Sequence, residues 1–332
     1  MTKINKIQFF DILDNFGVVP FTQSRGYVEM LDSGKSERFV FYTDSLSTPT
    51  FALCGRISAV AGKKMLSIEG ECYNEKPDFE NRKESQKFIS KLQDFYTNLT
   101  KDEFDIVEVQ SNAQWNFGFE TALRKAGFLR PVGQFSIPVT RIIDLRKDIE
   151  YDRNWKRNLA KVVENNLTYE VITQPKAKDI LDFCSIYNNM GKRKKLAVLS
   201  EKGIASLLDD SAFHILFVKQ GEERIAAIIF YIHNNSSTGV YAAATEKALA
   251  TGASCFMYMS MFEHLTSQEC EFYDMAKLLP SSDDSIGKVF QFKNGVEGTN
   301  LILNGEFAWY RKSYMRVAMY FIKKIILKKR EL

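Results

Sequence analysis

Two stretches of the chain, about 165–175 residues apart, carry the same succession of strand-like alternation and helical periodicity. The first predicts strands near Phe51–Ile57 and Met65–Glu69, a helix near Glu84–Leu99, a strand Ile106–Gln110, a helix ending at Ala126, and a strand near Phe135–Thr140. The second predicts strands Phe213–Lys219, Arg224–His233 and Gly239–Ala244, then a helix near Gly252–Leu265. A strand Phe272–Met275, a polar loop Pro280–Asp284, a short helix through Lys293 and strands near Asn300–Tyr310 complete it. The offset is too long for a solenoid repeat and fits a duplicated α/β domain. A duplicated unit of this kind leaves a cleft between its halves, and a cleft is the expected ligand site. Between the copies, Asp152 is placed to cap a helix whose apolar face is Trp155, Leu159, Val162 and Val163. Arg153, Lys156, Arg157 and Lys161 occupy its other sides.

Length and composition agree with this pattern. A chain of 332 residues predicts about two domains, and 45% hydrophobic with 26% charged residues is ordinary globular composition. The five cysteines form no C-x-x-C pair, which argues against a zinc or redox motif and for small buried side chains in a reducing compartment. The three histidines lie in apolar segments without carboxylates at ligand spacing, so no metal site is expected. Neither a signal peptide nor a membrane span is legible, and a cytoplasmic protein is expected. The net charge of +4 says little by itself. The segment Tyr314–Leu327 is more telling, because it is amphipathic and Lys323–Arg330 is rich in basic residues. Its face of Met315, Ala318, Met319, Ile322, Ile325 and Ile326 predicts a closing helix packed on the second domain. A peripheral contact of residues 314–330 with an anionic membrane, or with RNA, is the alternative.

Several segments together resemble one family. Pro20-Phe21-Thr22-Gln23-Ser24 with Tyr27 is similar to the N-terminal Q-S-x-x-W segment of FemABX-type peptidyltransferases. Trp155-Lys156-Arg157-Asn158-Leu159-Ala160-Lys161 resembles their R-x-N-I-R-K-A helix. Tyr273-Asp274-Met275 and Phe292-Lys293-Asn294-Gly295 resemble their Y-D-F-G and F-K-x-G-F-G segments. Ala276-Lys277 and Val296 depart from the pattern, standing where the family has Gly-Gly and Phe. The resemblance implies an α/β fold of two tandem GNAT-like (acyl-CoA N-acyltransferase-like) domains related by duplication, 1–147 and 148–332, with a C-terminal helix. It also implies N-acyl or aminoacyl transfer to an amine of a cell-envelope precursor, such as a peptidoglycan precursor, or of a saccharide. The donor is then aminoacyl-tRNA or acyl-CoA, with no tightly bound cofactor, and tRNA and a nucleotide-linked acceptor are the implied partners. The inner face of the membrane is the implied place of work. An acyl-CoA-dependent N-acyltransferase of the same fold, and a catalytically silent module binding a nucleotide-sugar, RNA or protein, remain as alternatives.

The candidate chemistry centres on Lys293, which follows Phe290 and Phe292 and is suited to stabilise an oxyanion or meet a donor phosphate. Asp274 ends a strand, where open α/β sheets present ligand groups, and can accept a proton or orient the amine. Its counterpart in the first copy is Glu108. Tyr241 is placed to orient substrate through its hydroxyl, or to fill the core. Arg153, Lys156 and Arg157 are the candidate phosphate-binding residues, in keeping with the matching helix of the family. The glycine-rich pyrophosphate turn of acetyl-CoA enzymes is replaced by Ala250-Thr251-Gly252-Ala253-Ser254.

Overall fold

The computed structural model describes residues 1–32, 38–74, 82–194, 196–278, 284–329 and 331. The loop expected at Pro280–Asp284 lies outside these, apart from Asp284. The first half runs β1 (Thr2–Ile4), α1 (Lys6–Leu13), α2 (Arg25–Asp32), β2 (Phe39–Thr43), β3 (Phe51–Val60), β4 (Lys63–Glu69), β5 (Cys72–Tyr73), α3 (Arg82–Thr100), β6 (Ile106–Gln114), α4 (Phe117–Lys125) and β7 (Val139–Asp144). The second runs α5 (Arg153–Glu164), β8 (Leu167–Ile172), α6 (Ala177–Lys194), α7 (Glu201–Leu208), β9 (Phe213–Gln220), β10 (Glu223–His233), β11 (Ser236–Ala244), α8 (Glu246–Thr251), α9 (Ala253–Ser267), β12 (Phe272–Asp274), α10 (Asp284–Asn294), β13 (Thr299–Tyr310) and α11 (Tyr314–Phe321).

Two compact units interleave along the chain. One holds residues 1–24, 35–139 and 301–332, the other 25–34 and 140–300. This differs from the expected single boundary at 147/148 because each unit takes its final strand from the other end of the sequence. In the first unit the strand order is β1-β2-β3-β4-β6-β13. Its pairs are antiparallel except β4 and β6, which are parallel. In the second the order is β8-β9-β10-β11-β12-β7, again antiparallel except for one parallel pair, β11 and β12. A parallel step needs a crossover, and α3 and α9 supply it in the two units. The duplication expected from the pattern is therefore present strand for strand.

Each unit has its own core. In the first, Leu66, Val107, Phe95, Tyr96 and Phe128 pack between the sheet and α3–α4. In the second, the almost wholly apolar α9 buries Met257, Met261 and Phe262 against Leu216, Ile228 and Tyr273. All five cysteines are free and buried. The strand expected at Phe135–Thr140 begins only at Val139, because Pro138 has no N–H to give a ladder.

Gln23 of the Pro20–Ser24 segment is structural. Its amide donates to the carbonyls of Cys54 (3.1 Å) and Glu69 (3.0 Å), and its Oε1 accepts from the Cys54 N–H (2.6 Å). It thereby stitches β3 to the end of β4.

Candidate active site

Tyr273 of β12 packs its ring on Tyr258 and Phe262 of α9, at 6.3 and 5.3 Å between centroids. Alternation along a strand then sends Asp274 to the opposite face. The parallel pairing of β11 with β12 covers only Ser236–Thr238 and Phe272–Asp274, while β11 continues to Ala244. The strands therefore part at Asp274, where an α/β sheet opens towards ligands.

The chain turns sharply as they part. Ala276 has φ +54°, a left-handed conformation that costs a non-glycine residue about 1 kcal/mol. Asp274 holds this turn: its Oδ1 accepts the Ala276 N–H at 2.7 Å and also the Thr140 hydroxyl. Lys293, in the last turn of α10, holds the same turn from the other side. Its Nζ donates to the carbonyls of Ala276 (2.9 Å) and Lys277 (3.0 Å). Lys293 and Asp274 thus meet at one turn without forming an ion pair.

Burial moves both groups towards neutrality. It pushes Asp274 up from the usual carboxylate range, against hydrogen bonds from Thr140 and Ala276 and the charge of Lys293. It pulls the Lys293 ammonium down to about 8, against the attraction of Asp274, with Lys277 adding repulsion. A neutral lysine has two N–H groups and one lone pair. Here both N–H groups are taken by carbonyls, so the lone pair is left to receive a proton. When protonated, the third N–H becomes a donor to developing negative charge.

The helix α5 supports this arrangement. Asp152 caps it by accepting the Trp155 N–H at 2.8 Å, and Trp155 is fully buried. The indole lies 5.2 Å from the Tyr151 ring and 4.7 Å from Phe292, and donates to the Phe292 carbonyl at 2.8 Å. A Cβ on Gly295 would sit 2.5 Å from the Trp155 ring, so only glycine fits there. The residue before Lys293 and the one after Asn294 are therefore clamped by one tryptophan.

Arg153, Lys156 and Arg157 lie on the exposed side of α5. They share the helix that holds Phe292, but no contact brings them to Lys293, and Arg157 bonds Asn154 at 2.7 Å. Tyr241 does not join Lys293 and Asp274. Its ring packs on Tyr187 of α6 at 5.6 Å, and its hydroxyl faces the Met30 sulfur at 3.9 Å. The register of β11 on β10 skips Val240, and such a bulge re-aims the side chains beyond it. Gly239 abuts the Tyr273 hydroxyl, whereas Tyr241, two residues on, is turned to the α6 side.

Two residues of β7 belong to the cluster without having been singled out by sequence. Thr140 bonds Asp274, and buried Arg141 places Nε and Nη2 on the Val296 carbonyl at 2.9 and 2.8 Å. Its backbone carbonyl accepts the Met275 N–H at 2.9 Å. Nothing in the local pattern of β7 marks them; they reach the site because β7 pairs with β12. Glu108, the first-unit counterpart of Asp274, is occupied differently, in an ion pair with buried Lys323 at 2.9 Å. Among the described residues, no cluster of His, Cys, Asp and Glu could hold a metal ion.

No protein-family model matches the sequence, and no curated protein matches it. Solved structures do. FemX aligns over 97% of this chain and 99% of its own, with a TM-score of 0.70 at 11% identity. L-PGS from Bacillus licheniformis aligns over 99% and 98%, with a TM-score of 0.66 at 13% identity. The C-terminal domain of a putative lysylphosphatidylglycerol synthetase from Agrobacterium fabrum aligns over 96% of each chain, with a TM-score of 0.58 at 12% identity. With these full-length likenesses and the strand-for-strand duplication, the chain has the FemX-like fold, built of two units of matching topology.

Proposed function

We propose that this protein transfers an aminoacyl or acyl group to an amine, with Lys293 and Asp274 at the reacting centre. The observation that carries this reading is the half-buried Lys293 amine, held by two carbonyls beside Asp274 and brought down to about 8. The acceptor nitrogen attacks the donor carbonyl carbon, forming the C–N bond as the π pair moves onto oxygen. Neutral Lys293 takes the proton released by the acceptor nitrogen and, once protonated, donates that third N–H to the oxyanion. Collapse breaks the C–O bond of the ester, and the leaving alcohol carries the proton away. Asp274 keeps the turn closed, and with it the two carbonyls that orient the amine.

An aminoacyl ester is the favoured donor, in keeping with the likeness to FemX and L-PGS. The N-terminus of α9, where a CoA pyrophosphate would be received, is covered by α5: a Cβ on Gly252 would lie 2.1 Å from the Asn158 carbonyl oxygen. That weighs against the acyl-CoA alternative. Arg153, Lys156 and Arg157 are then proposed to meet phosphates of tRNA or of a nucleotide-linked acceptor, a cell-envelope precursor or saccharide being the proposed class. Such substrates would place the protein in the cytoplasm, at the inner face of the membrane.

The test incubates purified protein with charged tRNAs or CoA thioesters and with UDP-linked muropeptides or amino sugars, and follows N-acylation. Lys293→Ala should lower turnover about a hundredfold to a thousandfold, the cost of one lost oxyanion donor. Ligand binding without turnover in the wild type, or an unimpaired Lys293→Ala variant, would overturn the proposal.

A further inference from the structure

The C-terminal segment concentrates positive charge. Arg311–Leu332 holds eight Lys or Arg and one Glu, a net of +7, while the whole chain carries +4, so all the preceding residues together carry −3.

The same segment exposes a run of apolar side chains. Helix α11 buries Met315 and Met319 and then passes into a π-helical turn, Ile322–Ile326. Lys323, not an isoleucine, is turned inward there: its ammonium lies 2.9 Å from Glu108 and 5.5 Å from the centre of the Phe135 ring. The expected buried face is therefore only half right. Its first part, Met315 and Met319, packs as expected, but on the first unit. Ile325 and Ile326 are turned out, because a π turn rotates the residues after it and the Lys323–Glu108 pair pins that rotation. Tyr314, Val317, Phe321 and Ile325 follow one another at spacings of three and four, and with Ile326 and Leu327 they are 51–69% exposed. Exposed Lys328 and Lys329 follow directly, and Lys324 stands within the run, paired with Glu331 at 2.8 Å.

We propose that Tyr314–Lys329 docks this protein on an anionic lipid bilayer, the apolar row entering the headgroup boundary and the lysines meeting lipid phosphates. An apolar row and a basic cluster are the two signals that stable peripheral binding requires. Lysine stems can lie along the apolar surface while their ammonium groups stay at the headgroups. RNA would use the lysines but leave six apolar side chains in water. A second copy would set one +7 segment against another, which repel. Among the described residues no helix is long and apolar enough to cross a membrane, so this contact lies on the surface.

The experiment is co-sedimentation of the full chain with vesicles of phosphatidylcholine, with and without phosphatidylserine. Each exposed lysine near an anionic surface strengthens binding about fivefold. Wild type should bind only the phosphatidylserine vesicles and be released by salt. Lys328→Glu with Lys329→Glu should weaken binding more than tenfold. Phe321→Ser with Ile325→Ser, at exposed positions that leave the fold intact, should also weaken it more than tenfold, with an unchanged thermal transition. No binding to phosphatidylserine vesicles, or binding unchanged in both variants, would overturn the proposal. So would a stable dimer dispersed by the serine variant, or retention on RNA without retention on vesicles.

Discussion

Replacing Lys293 with Met tests the burial of its amine directly. Methionine keeps most of the side chain's length and removes its charge. In the folded protein the amine titrates at about 8, against 10.5 for an unburied lysine. Between these values the unfolded chain binds more protons than the folded one, so this group makes stability rise with pH. Below pH 8 both states are protonated and the cost of the buried ammonium is constant; above 10.5 both are neutral. The difference of about 2.5 units corresponds to about 3 kcal/mol gained across that window. Lys293→Met should lack this rise. Removing Lys293 also orphans the Ala276 and Lys277 carbonyls, a cost of about 1–3 kcal/mol each that does not change with pH. It also deprives Asp274 of a cation, raising its pKa further, an effect confined to acid pH. The assay is urea unfolding of both proteins at steps from pH 7 to 10.5. The difference curve isolates Lys293, because the buried tyrosines and cysteines titrate in both. A wild-type minus variant difference that stays flat through this window would refute the burial argument and with it the poised amine.

Other expectations follow from equally specific contacts. Glu71 is buried, and burial pushes it up to about 7 against the pull of Ser111 and the Asn112 backbone. The folded state then binds the extra proton between pH 4.5 and 7, so stability falls as pH rises through that window. Glu71→Gln should remove that slope and be about 1–3 kcal/mol more stable than wild type at pH 8 by thermal or urea unfolding. Gly295→Ala should destabilise by about 1–3 kcal/mol through overpacking on Trp155, and should lower turnover by displacing Lys293; unchanged stability would mean that α5 yields freely. Glu108→Gln should cost about 3–5 kcal/mol by leaving the Lys323 charge buried and unpaired, read by unfolding at neutral pH. Tyr241→Phe should leave turnover unchanged, since its hydroxyl faces Met30; a large loss of turnover would return it to the site.

The duplicated α/β pattern, the apolar α9 and the Asp152 cap were legible in the residues, because each rests on local periodicity or a helix end, whereas Asp274 was singled out as a strand end and Lys293 chiefly by the family resemblance. Trp155 was legible only as an apolar position; that it clamps Phe292 and excludes a side chain at Gly295 follows from helix docking. Three features were decided by tertiary structure alone. Each unit completes its sheet with a strand from the other half of the chain, which sets Thr140 beside Asp274, and strand pairing at such distances leaves no local trace. A single skipped residue at Val240 turns Tyr241 from the α9 face to the α6 face, where it packs on Tyr187, since a one-residue bulge reverses the face of everything beyond it. The π turn around Lys323 does the same to Ile325 and Ile326. Alternation and helical spacing assume a regular backbone, so the sequence by itself determined which faces would be apolar, while the irregular turns of the folded chain decided where those faces point.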